Sequence, residues 1–175
     1  MKKENDRQRV SLKTKWQWEH IRSGQAIDTW TDSNVVVDEG LDYLLNAALK
    51  GGTQISSWYI VTFENDFTPD GDETYAVPGY TECTAIDEAT RPAWTGGSVS
   101  GQSVDNSGSR ATFTYNATKT IYGGALVGGG TDATTKGDTA GGGKMYCCSR
   151  FTSGSKSVVD DDILKVTITL QAQDV

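Results

Sequence analysis

VSLKTKWQWEH, residues 10–20, alternates without a break. Val10, Leu12, Thr14, Trp16, Trp18 and His20 share one face, and Ser11, Lys13, Lys15, Gln17 and Glu19 share the other. A period of two held over this length predicts a half-buried β-strand, because successive side chains of an extended chain point to opposite sides. Arg22-Ser-Gly-Gln25 then predicts a turn, and Ala26–Thr31 a second strand. Working outward, SSWYIVTF (residues 56–63) is apolar, aromatic and β-branched throughout, which predicts a strand buried on both faces. Further strands are predicted at residues 80–86, 97–104, 111–118, 120–127, 144–151 and 163–172, with a hairpin around Asp105-Asn-Ser-Gly-Ser109. One helix interrupts them. Leu41, Leu44, Leu45, Ala48 and Leu49 recur at helical spacing after Asp38, a good N-cap, and Gly51 or Gly52 supplies the left-handed stop. About eight strands and one helix predict an all-β chain, a β-sandwich or jelly-roll-like domain, with a closed barrel as the alternative.

Two stretches stand apart from this pattern. Residues 1–9 are polar and charged with no period, so residues 1–22 are expected to form a basic N-terminal arm running into the first strand. Residues 23–175 are then the single β-sandwich domain. Residues 123–143 hold nine glycines among 21 positions, which predicts a mobile loop with few side chains to anchor it.

The charge divides along the same boundary. Residues 1–22 carry Lys2, Lys3, Arg7, Arg9, Lys13, Lys15 and Arg22 against Glu4, Asp6 and Glu19. That is a net +4 in a chain whose formal charge is −7. An acidic body is a poor partner for nucleic acid, whose phosphates demand clustered Lys and Arg. Lys2, Lys3, Arg7, Arg9, Lys13 and Lys15 are therefore the candidate partner-contact residues, suited to an acidic protein surface or a neighbouring copy. No run of 18 apolar residues suggests a membrane helix, and MKKENDRQRV lacks the apolar stretch of a signal peptide. The expectation is synthesis in a reducing cytoplasm, with no membrane partner.

Enzymatic signatures are sparse. His20 is the single histidine and lies on the apolar face of the first strand, where a structural role is expected. Cys83, Cys147 and Cys148 form no CxxC pair, and adjacent thiols in a strand point to opposite faces, so buried free cysteines are expected without a metal. The acidic loop Asp66–Glu73 offers hard oxygens near Gly71 but departs from the EF-hand spacing, so it reads as a solvated turn. The glycine clusters Gly128–Gly130 and Gly141–Gly143 lead into no helix and make no phosphate cradle. Neither a catalytic role nor a cofactor is expected. The five tryptophans predict core or subunit-interface packing, with glycan stacking by Trp94 and Tyr80 as the alternative.

Four segments taken together carry a resemblance: LDYLLNAALKGGTQISSWYIVTF (41–63), ATRPAW (89–94), ATFTYNATKTIYGGALV (111–127) and DILKVTITL (162–170). In this order the chain resembles small virion proteins of tailed bacteriophages, in particular head decoration or cement proteins. The likeness spans residues 40–172 and leaves out the basic arm. It implies a self-associating β-sandwich on the capsid exterior, made in the host cytoplasm and bound to the major capsid protein. It implies no enzymatic role, and it brings no functional residues with it. A neck or tail component and a carbohydrate-binding module are the alternatives.

Overall fold

The computed structural model describes residues 10–174; residues 1–9 and 175 lie outside the description. In chain order the elements are β1 (Val10–Arg22), β2 (Gln25–Ser33), β3 (Val35–Val36), α1 (Asp38–Leu49), β4 (Trp58–Phe63), β5 (Ala93–Trp94) and β6 (Ser103–Asp105). After these come β7 (Ala111–Thr114), β8 (Lys119–Ile121), β9 (Gly123–Gly128), β10 (Lys144–Arg150), β11 (Lys156–Val158) and β12 (Ile163–Asp174).

Two antiparallel sheets face each other. The first has the order β2-β1-β12, with β6 and β7 end to end along the far side of β12. The second has the order β3-β10-β9-β4-β5, and β8 pairs with β11 apart from both. The inward residues of β1, β2 and β12 (Trp16, Trp18, Trp30, Leu164, Val166, Ile168) meet Ile60, Leu126, Tyr146 and Cys147 of the second sheet in one core. Trp16 stacks on Trp18 at 5.6 Å and Trp18 on Trp30 at 6.0 Å between ring centres, and Phe151 stands edge-on to the latter two. Each large side chain buried here contributes about 2 kcal/mol. The alternation at residues 10–20 thus fixes which face of the first sheet is dry. The chain is all-β with a sandwich core.

The second sheet is covered on its other side as well. Val61, Phe63, Ala125, Val127, Met145 and Cys148 point away from the tryptophans and are roofed by Tyr75, Phe67, Tyr80 and Ala133 from the long loops. Burial on both faces is why β4, Leu126 and its neighbours in β9, and Met145–Cys148 in β10 show little polar alternation. Cys147 and Cys148 accordingly sit in the two different cores. An extra residue in β10 between Met145 and Cys147 turns Tyr146 to the tryptophan side.

Several expectations need correction. Residues 10–22 are no arm: β1 lies between β2 and β12, and Trp16 is fully buried, because its apolar side chains are needed to close the core. The arm's remaining part, residues 1–9, lies outside the described residues. The glycine-rich stretch 123–143 is not a free loop. Residues 123–128 form the buried central strand β9, where bare backbone is required by close packing. A Cβ on Gly124 would stand 2.8 Å from the Val61 carbonyl oxygen and 3.1 Å from both Trp16 and Trp18. The remainder, 129–143, is tied down by Thr131 N–H to the Gly141 carbonyl, and by Arg91 donating to the carbonyls of Ala133 and Asp138.

No hairpin forms at 105–109. β6 and β7 are two pieces of one edge line, and Asn106 bridges the gap. Its Nδ2 donates to the Val166 carbonyl at 3.2 Å, and its Oδ1 accepts the Ile168 N–H at 2.7 Å. A side-chain amide replaces the missing ladder rung. Residues 80–86 make single bridges at Glu82 and Ile86 instead of a strand, because they cross the ends of other strands rather than run beside one. The helix begins one residue earlier than predicted, at Asp38, with Val37 in place of Asp38 as its N-cap and no side-chain cap bond. Val37 is buried and its N–H donates to the Tyr146 carbonyl, so packing on β10 fixes the start. The predicted stop holds: Gly51 has φ +76° and the Gly52 N–H donates to the Asn46 carbonyl.

Candidate interaction surface

Polar groups with chemical potential come first, because their partners decide whether any is free to act. His20 Nε2 lies 2.9 Å from Asp162 Oδ2, which also receives Arg22 Nη2 at 2.6 Å and the Val159 N–H at 2.8 Å. Arg22 Nε donates to the other oxygen at 2.8 Å. Burial pushes the Asp162 carboxyl up, but the Arg22 guanidinium, the Val159 N–H and His20 outweigh it and hold the group well below the usual carboxylate range. This cluster ties the ends of β1 and β12 together. A histidine beside a carboxylate with every oxygen engaged is a clamp.

Arg91 plays the same part under the roof. It is 3% exposed and donates to Glu82, Tyr75, Ala133 and Asp138. Glu82 in turn accepts the Gly137 N–H, and Asp138 Oδ2 accepts the Tyr75 hydroxyl at 2.7 Å. Burial, reinforced by the bond to Asp138, pushes the Tyr75 phenol up to about 12. In the acidic loop the Glu73 carboxylate accepts the N–H groups of Asp70 and Gly71, each at 2.9 Å, so its oxygens are spent closing the turn. Glu39 accepts the N–H groups of Tyr75 and Met145 and pairs with Lys144. Among the described residues no three His, Cys, Asp or Glu side chains converge as a metal site would require.

A cleft of about 620 Å³ lies between α1, residues 53–59 and residues 129–134. The only charged residue lining it is Lys144, whose ammonium is held by Glu39 at 3.0 Å. All three thiols are buried. Burial pushes Cys83 up to about 11 and Cys147 up to about 12, so neither is a nucleophile near neutral pH.

Surfaces remain. Lys13 and Lys15 stand exposed on the outer face of the first sheet, opposite Gln171 and Thr169 of β12. Gln17, Thr29 and Thr31 extend that polar face, and Arg110 Nη1 binds Glu19 across it at 2.6 Å. The other four predicted contact residues, Lys2, Lys3, Arg7 and Arg9, lie outside the described residues. Sequence reasoning missed a second surface. The leucine period of α1 predicted the helix but not its facing, and of its leucines only Leu44 packs on the core. Leu41, Leu45 and Leu49 are 36%, 59% and 81% exposed and make a row along the helix, bordered by exposed Asp38 and Asp42. The signal lay in the spacing: Leu41, Leu45 and Leu49 stand four apart and so share one helix face with Asp38 and Asp42 beside it.

The aromatic candidates for glycan stacking are engaged. The Trp94 indole N–H donates to the Ile168 carbonyl at 3.2 Å and its ring packs on the core, while Tyr80 stacks on Phe63 at 5.2 Å. No protein-family model matches this sequence, and no curated protein matches it.

Proposed function

We propose that this chain is a structural virion protein, a decoration or cement protein on the exterior of a tailed-bacteriophage head. In this reading it stabilises the shell by binding the major capsid protein and neighbouring copies. The observation that carries the reading is the leucine row of α1. Three exposed leucines over about 12 Å of helix offer contact area, while the chain's buried His, Arg and Glu groups are committed to holding its own loops. The polar face bearing Lys13 and Lys15 adds a second surface, suited to electrostatic contact. The resemblance of residues 40–172 to phage decoration proteins supplies the location.

Purified particles test it. Mass spectrometry of the virion should show this chain at hundreds of copies, and a reconstruction should place it on the outside of the shell. A dozen copies or fewer would move it to the neck or tail, and absence from particles would refute the reading.

A further inference from the structure

Neutral polar side chains with unused hydrogen-bonding capacity gather in one place. The 620 Å³ cleft beside α1 is lined by Asn46, Thr53, Gln54, Ser57 and Thr134, together with Tyr43 and Tyr59. Among the described residues none of those first five side chains, nor the Tyr59 hydroxyl, makes a hydrogen bond within the protein. The Tyr43 hydroxyl accepts the Ile55 N–H at 2.8 Å, which leaves its own proton to donate. A second cleft of about 470 Å³ shares residues 54–57 and Tyr59 with the first and adds Trp58 and Trp94. All four aromatic residues are half-buried, so each is fixed by packing yet reaches a cleft. The second cleft has no charged residue, and the first has only Lys144, which Glu39 neutralises. The cleft on the far side of α1 differs sharply, with Asp38, Glu39, Asp42, Lys50, Asp72 and Lys144 around it.

We propose that these two adjoining clefts bind a neutral oligosaccharide. Amide and hydroxyl side chains both donate and accept, which matches the hydroxyls of a sugar, each of them donor and acceptor at once. The apolar face of a sugar ring lies against aromatic rings, here Tyr43 and Tyr59 in one cleft and Trp58 and Trp94 in the other. The indole N–H of Trp94 is engaged by the Ile168 carbonyl, so Trp94 offers ring surface alone. Concave walls that combine aromatic surface with a few fixed polar groups are the usual form of a small-ligand site. Other ligand classes fit less well. A phosphate-bearing or acidic ligand needs free cations, and the one ammonium here is paired. A peptide added as a strand needs an open edge, whereas β4 is paired by β9 on one side and β5 on the other. The site is independent of the virion reading and uses none of the exposed leucines of α1.

The purified full chain is probed on a printed array of neutral and acidic glycans, and by calorimetry with cellohexaose, maltohexaose and chitohexaose. At least one neutral glycan should bind, with an affinity that holds as salt rises from about 0.05 to 0.5 M, because a neutral ligand has no charge to screen. Asn46→Ala and Gln54→Ala, both at exposed positions, and Tyr59→Phe should each weaken that binding about fivefold, the usual worth of one hydrogen bond. Circular dichroism of the three variants should match the parent. Thr120→Ala, exposed on β8, should leave the affinity unchanged. Silence of every neutral glycan, binding confined to acidic glycans and lost with salt, or affinity indifferent to all three substitutions would overturn the assignment. The two readings fail separately. A chain absent from particles still binds its glycan, and a virion component that binds none leaves the decoration reading standing.

Discussion

At the scale of single residues, Asp162 shows how this chain uses its charged groups. It is 1% exposed, accepts from Arg22, His20 and Val159, and joins the end of β1 to the start of β12. Its folded pKa lies below its unfolded one, so its contribution to stability is complete above the ordinary aspartate value near pH 4 and is lost as the pH falls through the lower folded value. Asp162→Asn is expected to lower unfolding free energy at pH 7 by about 3 kcal/mol, the cost of leaving buried partners unanswered. It should also flatten the loss of stability below pH 4. Urea titrations at pH 7, 4 and 2.5 check both; parallel acid limbs in parent and variant would remove Asp162 from this role. The same scale explains why His20 was readable from sequence and Asp162 was not. His20 sits on an alternating face that announces burial, whereas Asp162 is one of three consecutive aspartates, and only the approach of β1 selects it.

Among the elements, β9 is the one whose reading changed most. Glycines at 123, 124 and 128 suggest freedom when read as composition, but in the folded chain they let β9 lie between β10 and β4 under two cores. Gly124→Ala is expected to destabilise by about 2 kcal/mol through overpacking, since its Cβ meets the backbone of Val61 as well as two tryptophan rings. Thermal unfolding checks it, and an unchanged midpoint would mean that the two sheets separate more easily than the packing implies. Helix α1 shows the opposite error. Its period and stop were readable because both are local, but the side facing the core was not, because β10 sits beneath only Gly40, Leu44 and their neighbours.

For the whole molecule, the division between arm and domain moves from residue 22 to the start of β1. Removing residues 1–22 takes away the strand between β2 and β12 and with it Trp16 and Trp18. That truncation is expected to abolish cooperative unfolding, whereas removing residues 1–9 leaves the described core intact. Circular dichroism and melting of both truncations separate the two cases. A folded protein lacking 1–22 would refute the assigned topology. The proposed capsid contact is tested in the shorter truncation, where Lys2, Lys3, Arg7 and Arg9 are lost and Lys13 and Lys15 remain on the sheet, and which is expected to bind capsid more weakly than the parent chain.

Alternation at residues 10–20, the apolar run at 56–63, the strand at 144–151 and the helix stop at Gly51 or Gly52 were determined by the chain itself, because a strand's faces and a helix's end depend on neighbours a few residues away. The all-β class followed from them. Tertiary structure alone decided which leucines face solvent, and how Asn106, Arg91 and Asp162 are spent. Those outcomes depend on partners tens of residues distant: β12 for Asn106, the 133–138 loop for Arg91, β1 for Asp162. Local sequence carries no record of what will be folded against it.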